Sequence, residues 1–472
     1  MTVFTDLRRA GRALARRPAL AVTAAGTLAL GVAAVALALA FRHAVLVAPV
    51  SFPEPEQLVD VLASRQGVDS RFSLYEADFV AYAEASDSFV ALGAYEPVGR
   101  RALTGAGEPR QLSVHRVTHG LLAALGVAPL HGRALGPGDE APGAPAVVLL
   151  SEHLWRDAFA ADPAVVGRDV VLDGTPHAVV GVLPGGFGVR GGYPDAWLPL
   201  PLTATAPRSG ATFGAIGRLA PGVSLTAARA EAEAVALRLA ATDPEAFEDR
   251  RFSLEPLVEV MTASMRPPAR LLAVAALLLL VLAATNGSAL LLARTAERDR
   301  EMAVRSSLGA GVAGRVRPVA AEAFWLVLGG CAGGLAMAAL LLPLLPDLHG
   351  RFLYRSIDLA LARPVVLGAL AAALAAGLVA ALPAVARAAV AGRGGALANL
   401  RGGSAPRGSQ RLGSALVVAQ LALACVLLAG AAALLVSLGR LVAEDLGFEP
   451  RGVLAFEVTP PPSRYAGADE LA

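Results

Sequence analysis

Residues 269–293 read Ala269-Arg-Leu-Leu-Ala-Val-Ala-Ala-Leu-Leu-Leu-Leu-Val-Leu-Ala-Ala-Thr-Asn-Gly-Ser-Ala-Leu-Leu-Leu-Ala293, and this run decides the fold class. After Arg270 it holds no charge, and it exceeds the roughly 20 apolar residues that carry a helix across a bilayer. Asn286 is a polar amide inside it. Directly beyond lies Glu297-Arg-Asp-Arg-Glu-Met-Ala-Val-Arg-Ser-Ser-Leu-Gly309. That stretch is too polar for hydrocarbon, yet its spacing is helical. Glu301 precedes Arg305 by four residues, the favourable polarity for a helical ion pair. Met302, Val304 and Leu308 form a small apolar edge, and Gly309 is a natural helix stop. A solvated linker has no use for such an edge. It suits a helix lying on the membrane surface or one docking into a partner, and the residues alone leave both open.

Four further runs are long and apolar enough to span, at about 19–47, 319–346, 365–386 and 413–438. The first is too long for the apolar region of a signal peptide, roughly 7–15 residues, and is read as a retained anchor. The whole chain agrees: 472 residues are 55% hydrophobic, with a mean hydropathy of +0.56. The expectation is an α-helical membrane protein with about five transmembrane helices and one large polar segment between the first two. Arginine sets the orientation. Arg8, Arg9, Arg12, Arg16 and Arg17 precede the first span, Arg294 to Arg317 lie between the second and third, and Arg387 to Arg411 between the fourth and fifth. Segment 49–266 instead carries 17 Arg against 26 Asp or Glu. The positive-inside rule puts the N-terminus inside the cell and 49–266 outside.

Segment 49–266 reads as a mixed α/β domain, and its length can bury a core. Short β-branched runs bounded by Gly and Pro predict strands at Ala146–Leu150, Asp169–Leu172 and Ala178–Val182. In 224–240, Leu225, Ala228, Ala232, Val235 and Leu239 recur every three or four residues, which predicts an amphipathic helix with Ser224 as its N-cap. Phe252–Val258 predicts a strand, held to the sheet edge by Pro256.

The inventory of reactive groups is thin. Every one of the 41 basic residues is Arg, which removes phosphate-loop, Schiff-base and Ser-Lys chemistry. A net charge of +2 gives no reason to expect nucleic acid. Cys331 and Cys425 lie in apolar runs and form no zinc set. His115 and His119 have a four-residue spacing that can hold a metal on a helix, but Val114 and Val117 predict a strand there, so no metal is expected. Pro184–Gly188 reads as a turn. Neither a nucleophile elbow nor a phosphate loop is present, so no catalytic residue or cofactor is expected. Glu322, near the start of the third span, is an intramembrane ionisable group within reach of Arg315 and Arg317. Gly329, Gly330, Gly333 and Gly334 give two pairs at i, i+4, the small-residue pattern of close helix packing.

Four blocks in order resemble the FtsX/MacB-like permease family of ATP-driven systems. The first runs from Asp6-Leu-Arg-Arg-Ala10 to Phe52-Pro-Glu-Pro-Glu-Gln-Leu-Val59. The second, 121–187, includes Leu125-Gly126, Gly132-Arg133, Trp155, Gly174 and Val180–Pro184. The third is Arg218-Leu-Ala-Pro-Gly-Val-Ser224. The fourth spans 297–322 with Ala303-Val-Arg305 and Leu308-Gly-Ala310. The family often has a second Asn three residues after the one matching Asn286, where this chain has Ala289. The resemblance implies a cytoplasmic N-terminus (1–18), a first transmembrane helix (19–47) and an extracytoplasmic mixed α/β MacB-like periplasmic core domain (49–266). An FtsX-like permease domain follows at 267–390, with its cytoplasmic loop at 294–318. A cytoplasmic linker (391–412), a fifth transmembrane helix (413–438) and the truncated start of a second extracytoplasmic domain (439–472) complete the layout. Phe448-Glu-Pro-Arg-Gly-Val-Leu-Ala-Phe456 echoes the segment after the first span, so the chain looks like the N-terminal half of a duplicated permease.

The function so implied is that of a bacterial inner-membrane ABC-type permease subunit without a catalytic centre. A separate cytoplasmic ATPase would dock on a helix formed by Glu297, Arg298, Glu301, Met302, Val304, Arg305, Leu308 and Gly309, and move the outer domain for export or release of a substrate. Membrane lipid and an envelope protein are the other expected partners. The alternative is a non-transporting signalling or scaffold protein that activates an envelope partner.

Overall fold

A computed structural model describes residues 3–16, 18–47, 52–65, 71–72, 74–105, 108–185, 188–189, 192–206, 212–298, 301, 311–344, 360–390 and 407–443. Contacts divide the chain into two compact units, one built mainly from Ala48–Ala263 and the other from the segments before and after it.

The second of these units is helical. An amphipathic helix α1 (Val3–Ala15) leads into α2 (Pro18–Arg42). Residues 1–18, expected only as a cytoplasmic N-terminus, thus hold a helix not anticipated from the sequence. Pro18 starts α2 at a position where a missing N–H costs nothing. In the four later helices of this unit, numbered α9 to α12, the apolar runs of the sequence recur: α9 (Arg266–Glu297), α10 (Val312–Leu341), α11 (Arg363–Val390) and α12 (Arg407–Val442). Five helices among the described residues are long and apolar enough to cross a membrane. Four of them share cores in which Val32, Ala36, Ala369, Ala373, Ala384 and Ala388 are wholly buried. Lipid tails compete with any apolar side chain, so small residues that admit close backbones do this packing. Along α12 the described side chains are mostly exposed.

The other unit is built on one eleven-stranded sheet. Its strands are β1 (Leu58–Arg65), β2 (Arg71–Phe72), β3 (Phe89–Thr104), β4 (Arg110–Val117), β5 (His131–Gly132), β6 (Val147–Ser151), β7 (Asp169–Leu172), β8 (Thr175–Leu183), β9 (Ala196–Pro199), β10 (Gly214–Leu219) and β11 (Arg250–Pro256). The order is β11-β1-β10-β3-β4-β9-β6-β8-β5, with β2 on β1 and β7 joining β3 to β8. Most pairs are antiparallel; β4/β9 and β6/β8 are parallel. Strands β6, β7 and β8 fall on the three β-branched runs, and β11 is an edge strand ending at Pro256, as its missing donor requires.

Helices α3 (Glu76–Ala85), α4 (His119–Leu125), α5 (Glu152–Phe159), α6 (Leu225–Thr242), α7 (Pro244–Phe247) and α8 (Leu257–Thr262) complete this unit. Ser224 caps α6 by accepting from Ala227 N, and Ala228, Ala232 and Val235 of its stripe are fully buried. They close one core with Tyr82, Phe79 and Phe252. Trp155, Val148 and Val182 anchor another at the far part of the sheet. The fold class is therefore five membrane-type helices with a large α/β domain.

Candidate functional site

At one end of the helical unit four helices are joined by polar contacts. Glu322 of α10 is only 2% exposed. It does not reach out to the surface, as its place near the start of the span suggested, and the partners found are not the expected Arg315 and Arg317. Arg294 of α9 donates to its Oε2 at 3.3 Å. Arg298 Nη1 lies 2.7 Å from Oε1, a charge contact outside hydrogen-bond alignment. Arg294 and Arg298 are four apart and so share a face of α9; the carboxylate sits between two guanidinium groups. Arg315, itself buried, donates through Nη2 to Ala389 O at 3.0 Å, tying α10 to α11. Trp325 Nε1 donates to Leu7 O at 3.0 Å, tying α10 to α1.

These contacts flank the segment expected to form the docking helix. Glu297 is the last residue of α9, and Arg298 is its C-cap, with its N–H on Thr295 O and Ala296 O. Glu301 is exposed. Met302, Val304, Arg305, Leu308 and Gly309 lie outside the described residues. Asn286 is half-buried midway along α9. The glycine pattern of the third span does the packing work proposed for it: a Cβ on Gly334 would lie 2.7 Å from Val32 Cβ and 2.8 Å from Ala29 O, closer than real Cβ atoms come. Backbone contact between α2 and α10 depends on that missing atom.

In the α/β unit, Arg218 of β10 is a junction that sequence reasoning missed. Its Nε donates to Ala124 O at 2.8 Å and its Nη2 to Pro53 O at 2.9 Å. Gly126, with φ +67°, turns the chain beside it, and a Cβ there would meet Pro53 Cγ at 3.3 Å. Three of the four family-like sequence blocks thus converge on one guanidinium. Their separate positions in the chain concealed this; Arg218 was part of the third block, but no local pattern marked its acceptors in the other two.

The histidines have separate surroundings. His115 is on β4, as Val114 and Val117 implied. It is 2% exposed, edge-on to Trp197 at 5.5 Å, and its Nδ1 has no partner. Desolvation holds its pKa down at about 4. His119 begins α4, and its Nδ1 lies 3.0 Å from Glu140 Oε2 at the rim of an open cleft of about 290 Å³ floored by Phe79, Leu92 and Leu202. His131 packs on Trp155. Asp78, fully buried, is neutralised by Arg250, which also stacks 5.1 Å from the Tyr75 ring. Among the described residues no group of three or more metal-type side chains comes together.

A set of apolar helices long enough to span a membrane, with polar contacts at one end and a large α/β domain inserted after the first span, is the architecture of a multi-pass membrane protein. The comparisons make the class specific: residues 21–235 match the MacB-like periplasmic core domain, and residues 273–390 match the FtsX-like permease C-terminal domain. The chain belongs to the FtsX/MacB-like permease family. Its α/β part is similar to a domain of a putative permease protein from Porphyromonas gingivalis, at 18% identity and a TM-score of 0.36, covering 44% of this chain and 93% of that one. The periplasmic region of MacB from Actinobacillus actinomycetemcomitans is similar at 13% identity and a TM-score of 0.33, covering 44% and 92%. The extracellular domain of the noncanonic ABC-type transporter YknZ from Gram-positive bacteria is similar at 14% and 0.31, covering 42% and 99%. No curated protein matches the chain.

Proposed function

We propose that this chain is the non-catalytic membrane subunit of an ABC-type system, driven by an ATPase on a separate chain. The observation that carries the reading is the buried Glu322 between Arg294 and Arg298. A carboxylate with two guanidinium groups in an apolar bundle costs desolvation energy that packing alone does not require. It fastens the end of α9, where the polar segment 297–309 starts, to α10. A force applied to that segment is then delivered to two spans at once. The excess of arginine in the short segments beside the spans supports an orientation with 294–318 and the N-terminus in the cytoplasm and the α/β domain outside. The ATPase would dock on 297–309, and its closure would move the spans and, through them, the outer domain, to export or release a substrate.

The test is affinity purification of the full chain from its own membranes in mild detergent, with assay and identification of co-purifying ATPase. A stoichiometric ATPase is expected, and deletion of 297–308 is expected to remove it while membrane insertion persists. Association that survives the deletion would overturn the docking segment; no ATPase with the intact chain would overturn the ATP-driven reading.

A further inference from the structure

The basic face of α1 is unused by anything described so far. At 3.6 residues per turn, Arg8, Arg9 and Arg12 of α1, continued by Arg16 in the turn that follows, whose N–H still donates to Arg12 O, fall within about 100° of arc. All four are exposed. None has an ion pair or side-chain hydrogen bond among the described residues. The opposite face is spent on the helical unit: Ala10 and Leu14 are buried, Leu7 O takes the Trp325 indole N–H, and Gly11 lies against the same ring. So α1 is held with its guanidinium groups turned away from the protein. The acidic residue of α1, Asp6, lies off the arginine arc.

We propose that this face of α1 binds the anionic headgroups of membrane phospholipid. Two observations select lipid over an acidic protein. First, α2 begins at Pro18, two residues after Arg16, so the arginine-bearing helix leads directly into a membrane-type span and adjoins the end at which that span would meet headgroups. Second, large aromatic side chains are exposed at the same level: Phe4, on α1 itself, and the T-shaped pair Phe324 and Trp325 on α10, beside which α1 is pinned. An exposed Trp of this kind marks the membrane–water boundary, and a Phe on the apolar side of a basic amphipathic helix suits insertion at the same boundary. A basic amphipathic helix at that depth, with arginine on its polar face, has the composition of an interfacial anchor. Guanidinium matches phosphate in a two-pronged hydrogen-bond geometry and keeps its charge at all accessible pH.

The experiment uses the full chain in nanodiscs of phosphatidylcholine containing traces of spin-labelled phosphatidylglycerol or spin-labelled phosphatidylcholine. The fraction of each motionally restricted by the protein gives the relative association. We expect a preference for phosphatidylglycerol of up to about fivefold at low salt, the order of one arginine–headgroup contact, that declines as arginines are neutralised and is lost in the variant Arg8→Gln/Arg9→Gln/Arg12→Gln/Arg16→Gln. The matching fourfold Lys variant should retain it, which separates charge from folding. An equal preference in wild type and the Gln variant would overturn the proposal, as would its loss in both variants. Unchanged lipid preference, with an acidic membrane protein released by the Gln variant alone, would assign the face to a protein and overturn it too.

Discussion

Replacing Glu322 by Gln removes one charge and almost no volume. The Arg294 side chain, 8% exposed, would keep its charge with no counter-ion. Breaking a buried pair in this way costs about 3–5 kcal/mol. Arg298 is 31% exposed and can turn to solvent, so its own loss adds only about 0–1 kcal/mol. A net effect of roughly 3 kcal/mol, at 2–4 °C per kcal/mol for a unit of this size, lowers the unfolding midpoint by about 6–12 °C. Cys331, buried in the same bundle, is a built-in reporter. In a Cys425→Ala background, its reaction with a fluorogenic maleimide during heating in mild detergent follows opening of the helical unit. The double change Glu322→Leu/Arg294→Met should recover most of the loss, because apolar replacement of a whole buried pair is close to neutral. A shift under about 1 °C for Glu322→Gln, or a double variant less stable than the single, would refute the view that this pair fastens α9 to α10.

Gly334→Val should separate α2 from α10 and destabilise the helical unit by roughly 1–3 kcal/mol through overpacking, whereas Gly26→Ala, with open space at its Cβ inside a helix, should leave the midpoint the same or slightly higher. His115 titrates at about 4 when folded against 6.5 unfolded, so it is neutral in the native state and the unfolded chain binds the extra proton. Its contribution is complete above pH 6.5 and is lost as pH falls toward 4, by roughly 3 kcal/mol in all. Unfolding monitored by tryptophan fluorescence should show that slope, and His115→Leu should flatten it. Asp139 and Glu152, whose pKa values are lowered by Arg133 and Arg156, act only in the more acid window below the ordinary carboxylate range. Arg218→Ala should cost about 2 kcal/mol through the carbonyl groups of Pro53 and Ala124 left without their donor, and proteolysis between Phe52 and Leu58 should accelerate; unchanged cleavage would show that the junction does not hold that segment.

The parts legible in the sequence are those governed by short-range pattern. The period of Leu225, Ala228, Ala232 and Val235 gave α6 and its buried face, and Pro256 gave an edge strand, because each depends on local geometry and one missing donor. Glu322 was legible as an ionisable group near a span end, but its burial and its partners were not. The residues considered, Arg315 and Arg317, lay near it in sequence, while Arg294 and Arg298 reach it from another helix; their own spacing of four was the available signal. Arg218 was legible as part of a family-like block but not as a junction, since its acceptors are 94 and 165 positions away. The helix α1 was legible and overlooked: Leu7, Ala10 and Leu14 have helical spacing, masked by attention to the charges between them. The docking segment, the best local motif, has most of its residues outside those described, so it stands as a proposal.

The pairing of β1 with β11 has a mechanical meaning. Val59 lies opposite Pro256 and Arg65 opposite Arg250, so the strands by which the chain enters and leaves the sheet are antiparallel neighbours. Residues so paired are about 5 Å apart. Two tethers pulled together therefore load the domain at a single point and carry it as a lever, with little internal stretch. Two tethers pulled apart load the ladder one rung at a time from Val59 inward, the weakest direction in which a sheet can be torn. By this pairing, a displacement of the two attachment points in common leaves the β1–β11 ladder intact, while a difference between them strains its first rungs.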